Sequence, residues 1–210
     1  MSTLNNVRMA VPSVVAVPAK PIAAPSPASA FDAWLAFTIG YQVPGYGEEG
    51  GEADNPSDPG GFTWRGVTLT TFRGWRDDPN ATATDLLAIS EDELVALYGA
   101  LYWNTVQGDA LPGALALEVA DFGVNAGPRQ SAIILQRAVG VTQDGSIGPQ
   151  TLGAVAAANL TTLVGRFSAL RLGFYQSLST FATFGAGWTG RNTRCEAAAM
   201  ALLPNVAPTT

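Results

Sequence analysis

The sequence predicts an α+β fold that is predominantly helical and carries one small β-hairpin near its start. Three observations predict it. Apolar residues recur at helical spacing through most of the second half. Proline stands at the start of several of those stretches and glycine at their ends, as at Pro112/Gly127 and Pro128/Gly140. Before them, residues 52–68 hold turn residues and a short β-prone run instead of a helical period.

Residues 1–30 are rich in Ala, Pro, Val and Ser, and their repeated prolines forbid a continuous helix. They read as a flexible or extended tail. Pro12 and Pro18 break the apolar run, so no clear signal peptide is expected, and no stretch has the length of a transmembrane segment. Residues 31–104 read as a first lobe and 105–203 as a second, helical one.

FDAWLAFTI (31–39) reads as a short apolar helix, and YQVPGYGEEGG then breaks it. Glu49 is expected at the end of a helix, where the glycines turn the chain. Pro59-Gly60-Gly61 is expected to turn a hairpin whose second strand covers Phe62 to Thr68. Ser90 followed by Glu93 reads as a capping box opening a helix over 91–103. Pro112 opens a helix ended by Gly127, and Pro128 one ended by Gly140. TQDGSIGP reads as a turn, Pro149 opens the next helix, and Thr161 to about Leu178 forms a long one. A last helix is expected over Asn192–Leu203.

The 210 residues contain no histidine and one cysteine, Cys195. Ser-His-Asp and Cys-His nucleophilic sites are therefore excluded, as are histidine-based zinc sites and an intramolecular disulfide. Any hydrolysis must run on carboxylates or on a hard metal held by oxygen. Asp54, Asn55, Asp58 and Asp144 lack the spacing of a calcium loop, so no metal and no cofactor is expected. Net charge is -6, with -12 over residues 31–128 and +4 over 129–210. The acidic first lobe argues against nucleic acid as a partner. Cys195 reads as a buried apolar residue on a late helix.

Glycosidic cleavage needs a proton donor at the leaving oxygen and a second group that stabilises positive charge or places a water. Glu49, Asp58 and Thr63 supply an acid, a second carboxylate and a hydroxyl within fifteen positions of chain. Spacing alone leaves open that Asp58 only caps a turn and that Thr63 only pairs in a strand. Trp64, Tyr102, Trp103 and Trp188 are aromatics suited to stacking on sugar rings, with Trp103 better read as core. Asp121 and Asn125, one helical turn apart, face either a cleft or the contact between the lobes.

The run EGGEADNPSDPGGFTWRGVT (49–68) resembles the signature of glycoside hydrolase family 108, the muramidase-type lysozymes of phages and prophages. LYGALYW (97–103) looks like that family's Tyr-x-x-x-Tyr-Trp helix. DFGVNAG (121–127), LQ (135–136), DGSIGPQTL (144–152) and GW-x-x-R (187–191) look like the predicted peptidoglycan-binding region that follows it. The resemblance runs from Phe31 to about Arg191. It implies a lysozyme-like fold and hydrolysis of the β-1,4 bond after N-acetylmuramic acid. Glu49 would be the general acid, Asp58 the second carboxylate and Thr63 the residue that helps place water, with inversion favoured. Trp64, Asn125, Tyr102 and Trp188 would bind substrate.

The chain departs from the pattern at Glu52, where tyrosine is usual, and at Trp64-Arg65, where Asn-Phe is usual. QVPGYGE reads as an insertion, and it leaves Glu48 beside Glu49 as a rival acid. Peptidoglycan glycan strands are the expected partner. The protein would act at the cell wall after release or delivery, with the tail as a tether to a phage-like particle or secretion assembly. Two other readings follow: a cell-wall-binding or structural component with little activity, and a lytic transglycosylase that would not need Asp58.

Overall fold

The computed structural model describes residues 29–43, 47–53 and 62–203. The tail over 1–28, Asp54, Asn55, Asp58 and the Pro59-Gly60-Gly61 turn lie outside the described residues. The fold is the helical α+β, lysozyme-like one that the sequence predicts.

Helix α1 spans Ala30–Ile39. Ser29 caps it by accepting from the Asp32 amide, and Gly40 stops it in a left-handed conformation. Trp34 and Leu35 are fully buried. Trp34 packs in an aromatic cluster with Phe31, Tyr98 and Trp103 at centroid distances of 5.5–5.8 Å.

The sheet has three antiparallel strands in the order β1 (Glu52–Ala53), β2 (Thr63–Trp64) and β3 (Val67–Thr68). Phe62 to Thr68 is thus not one strand but a hairpin in itself. Trp64 pairs with Val67, leaving Arg65-Gly66 as a two-residue turn. Both have positive φ, 46° and 74°, as tight hairpin turns of this length require. Arg-Gly is a weak signal for such a turn compared with Asn-Gly, so the sequence read through it.

The chain enters α2 (Leu69–Arg76) at Thr68 and α3 (Ala83–Leu87) at a Thr82/Asp85 capping box. The sequence signals above mark neither helix. Both are short, and each fully buries one side chain, Phe72 and Leu86. Helix α4 (Glu91–Tyr98) starts at Ser90, whose hydroxyl accepts from the Glu93 amide. The Glu93 carboxylate does not complete a box there; it pairs with Arg76 at 2.6 and 2.7 Å. Residues Gly99–Trp103 continue as a π-helical turn.

Helix α5 (Gly113–Ala126) is buried on nearly every side. Its residues are apolar apart from Glu118, Asp121 and Asn125, which are buried with the rest. It packs against α1 on one side and, on the other, against α6 (Pro128–Val139), α8 (Leu160–Gln176) and α9 (Phe181–Ala201). Helix α7 (Pro149–Ala157) packs on α6. Helix α9 begins at Phe181, well before the expected Asn192. Its first turns, FATFGAGWTG, are too glycine-rich to read as helix, yet burial of Trp188 against Tyr175, Phe181 and Phe184 holds them. Among the described residues, no helix is long and apolar enough to cross a membrane.

Candidate active site

Glu49 is not at a helix end. Its backbone nevertheless docks on one. Glu48 and Glu49 donate their amides to the Phe37 and Thr38 carbonyls at 3.0 and 2.7 Å. In an unbroken helix those carbonyls would take the amides of Tyr41 and Gln42. The chain therefore leaves α1 after Gly40 and is back beside it at Gly47. The two positions touch: a Cβ on Gly47 would lie 2.4 Å from the Gly40 nitrogen, so only glycine fits at 47. The glutamates sit where the next turn of α1 would have been.

The two carboxylates then part. Glu48 forms a forked pair with Arg194 of α9 at 2.6 and 2.7 Å, near the surface. Glu49, only 6% exposed, points inward. Its Oε1 accepts from Arg191 Nη1 and, at 3.4 Å, from Asn125 Nδ2. Its Oε2 lies against the hairpin tip, 2.8 Å from where a Cβ on Gly66 would be. Any side chain at 66 would overlie that oxygen. Gly66→Ala is expected to cut activity about 10- to 100-fold, since displacement near a reacting group by about 1 Å has effects of that order. A steady-state assay checks it, and wild-type turnover would contradict it.

Behind Glu49 lies a buried ionic cluster that the sequence did not reveal. Arg191 grips Asp121 through Nη2 at 2.6 Å and Nε at 3.2 Å. Arg171 reaches the other Asp121 oxygen at 2.6 Å and Asn125 Oδ1 at 3.1 Å. Tyr175 donates to Asn125 Oδ1 at 3.0 Å. Burial pushes the Asp121 carboxyl up, but Arg191 and Arg171 outweigh it and hold it at about 2.

Glu118, one turn before Asp121, is the opposite case. It is fully buried, and its carboxylate makes no hydrogen bond, with Arg171 Nη1 3.6 Å away. Burial raises it, Arg171 partly offsets that, and the result is about 8. A carboxyl raised from 4.5 takes up a proton on folding at intermediate pH. Its contribution is therefore complete below about 4.5 and is lost as pH rises towards 8, at about 1.4 kcal/mol per pH unit. Denaturation between pH 5 and 8 should show this slope in the wild type and not in Glu118→Gln. Equal slopes would place Glu118 in the ionised state.

The remaining sequence candidates divide. Thr63 is buried on β2, in the strand that leads to the Gly66 turn. Trp64 follows it and is half-buried. Tyr102 is half-buried on the π-turn, beside Tyr98 at a centroid distance of 5.3 Å. Burial first and then the charge of Glu49 push its hydroxyl to about 12. Tyr98, the first tyrosine of the Tyr-x-x-x-Tyr-Trp run, donates to the Arg65 carbonyl at 2.8 Å and so ties the end of α4 to the hairpin tip.

Two of the substrate-binding candidates are buried. Asn125 is 2% exposed, its amide nitrogen donating to Glu49 and its oxygen accepting from Arg171 and Tyr175. Trp188 is 2% exposed and stacked on Tyr175 at 5.4 Å. Trp103 and Cys195 are core, as expected. Among the described residues no group of His, Cys, Asp or Glu is arranged to hold a metal ion.

The profile described as glycosyl hydrolase 108 matches residues 46–127, and one described as a predicted peptidoglycan domain matches 130–193. The solved structure of Brucella abortus SagA is similar to the chain, with a TM-score of 0.70 and 36% sequence identity. The similarity covers 76% of this chain and 91% of that one. No curated protein matches the chain.

Proposed function

The chain belongs to the glycosyl hydrolase 108 family, and on that premise we propose that it hydrolyses the β-1,4 bond between N-acetylmuramic acid and N-acetylglucosamine in peptidoglycan, with Glu49 as general acid. A peptidoglycan-degrading role is supported by both matched regions. The observation that carries the assignment to Glu49 is the asymmetry of its carboxyl. Oε1 is occupied by two donors, Arg191 and Asn125, so the transferable proton belongs on Oε2, beside Gly66.

In this reading Oε2 gives its proton to the bridging oxygen as the C1–O bond breaks. The muramyl ring takes on oxocarbenium character. A water adds to C1 and its proton passes to Asp58; Asp58 then releases that proton to solvent, and solvent returns one to Glu49. Thr63 helps place that water, and Trp64 and Tyr102 border the sugar. Inversion predicts an α-anomer in freshly released product, and retention a β-anomer. Glu48 has no acid role in this reading, since both of its carboxylate oxygens accept from Arg194 near the surface.

Incubation with purified peptidoglycan and mass spectrometry of the products test this. Reducing-end muramic acid is expected, and its loss in Glu49→Gln but not in Glu48→Gln. Anhydro-muramyl ends would mean a lytic transglycosylase instead. No cleavage, with the wall polymer still bound, would overturn the enzymatic reading in favour of a wall-binding component.

A further inference from the structure

We propose that the region 130–193, which matches a peptidoglycan domain, is not a separable binding module but half of the catalytic site, with Arg191 as the positioning residue of the acid. The inference rests on the assignment of Glu49 above. The two residues are separated by 142 positions of chain, yet the guanidinium is in direct contact with the carboxyl and is 1% exposed.

Interfaces between independent domains are more polar than cores and allow relative motion. The junction here is of another kind. Glu118, Asp121 and Asn125 lie on one face of α5, and they meet Arg171 of α8 and Arg191 of α9 with every one of these side chains buried. A buried charge without its partner is strongly unfavourable. Neither region can therefore keep its half buried without the other, and the two regions close one site together.

The geometry assigns Arg191 two tasks. Its Nε and Nη2 are fixed on Asp121, so the plane of the guanidinium is set before substrate arrives. Its remaining nitrogen, Nη1, then fixes Glu49 Oε1, which aims Oε2 at the hairpin side. When the proton leaves Oε2, the new negative charge appears against a guanidinium that need not move. Such preorganised charge is the strongest kind of electrostatic assistance.

The test is chemical rescue in the full chain. Arg191→Gly is expected to lower the rate of peptidoglycan cleavage about 100-fold. Millimolar guanidinium chloride should then restore it at least about tenfold, where equal sodium chloride does not. Arg191→Lys, which keeps the charge but not the planar fork, should fold and still lose most of the rate. Wild-type rates in folded Arg191→Lys, or equal responses of Arg191→Gly to the two salts, would overturn the proposal while leaving Glu49 in place.

A readout independent of turnover separates the two readings. The Arg191 side-chain N–H signals in nitrogen-15 NMR should shift between wild type and Glu49→Gln. Unchanged signals would overturn the contact. A clear shift in a protein that cleaves nothing would uphold the contact and remove the hydrolase.

Discussion

Glu49→Gln is expected to lower peptidoglycan cleavage by about 10²- to 10⁴-fold, the usual contribution of a positioned proton donor. Glutamine keeps the volume and an oxygen that can still accept from Arg191 and Asn125. What it lacks is an acidic proton to transfer from the position of Oε2, since an amide N–H donates hydrogen bonds but is not given up. Substrate binding should therefore be little changed, and the loss should fall on kcat. Glu48→Gln is the matched control. It removes a rim pair with the half-exposed Arg194, and such pairs contribute at most about 1 kcal/mol. Steady-state rates on purified peptidoglycan distinguish the two. Loss of activity with Glu48→Gln and its retention with Glu49→Gln would reverse the assignment.

Asp121→Asn should destabilise the fold by about 3–5 kcal/mol, the range for breaking a buried ion pair from one side. Asp121 is the one anion that both Arg171 and Arg191 hold among the described residues. Asparagine preserves shape and removes the charge, leaving two buried guanidiniums on one neutral side chain. Against a total stability of about 5–15 kcal/mol, that is a large fraction. Urea denaturation at pH 7 measures it, and a loss below about 1 kcal/mol would show that other groups balance the arginines. The pH dependence has a definite sign. The Asp121 carboxyl is held below its ordinary value of 3.8, at about 2. Its contribution is present above about 3.8 and is lost as pH falls through 2.

The sequence by itself determined the helical framework, because the signals are local. Ser29 and Ser90 cap with their own hydroxyls, Pro128 and Pro149 sit at first helical positions, and Gly40 and Gly140 take the left-handed stops. Each needs only a few neighbours in the chain. The Glu49-to-Thr68 motif was legible for the same reason, being one short continuous run. What the sequence suggested about Trp188 and Asn125 was their chemical type, which suits a sugar equally well or a core.

Only the tertiary structure decided which. Arg191 and Glu49 are too distant in sequence for any local period to link them, and Arg171 stands in a stretch that reads as an ordinary amphipathic helix. Two arginines set among Leu, Phe and Trp were a usable sign that buried acids must meet them. Which acids, and that Glu49 would be one of them, depended on how α8 and α9 pack on α5. Burial turns those charges from solvated surface groups into obligate partners. That is a property of the packed interior, and no stretch of the chain carries it alone.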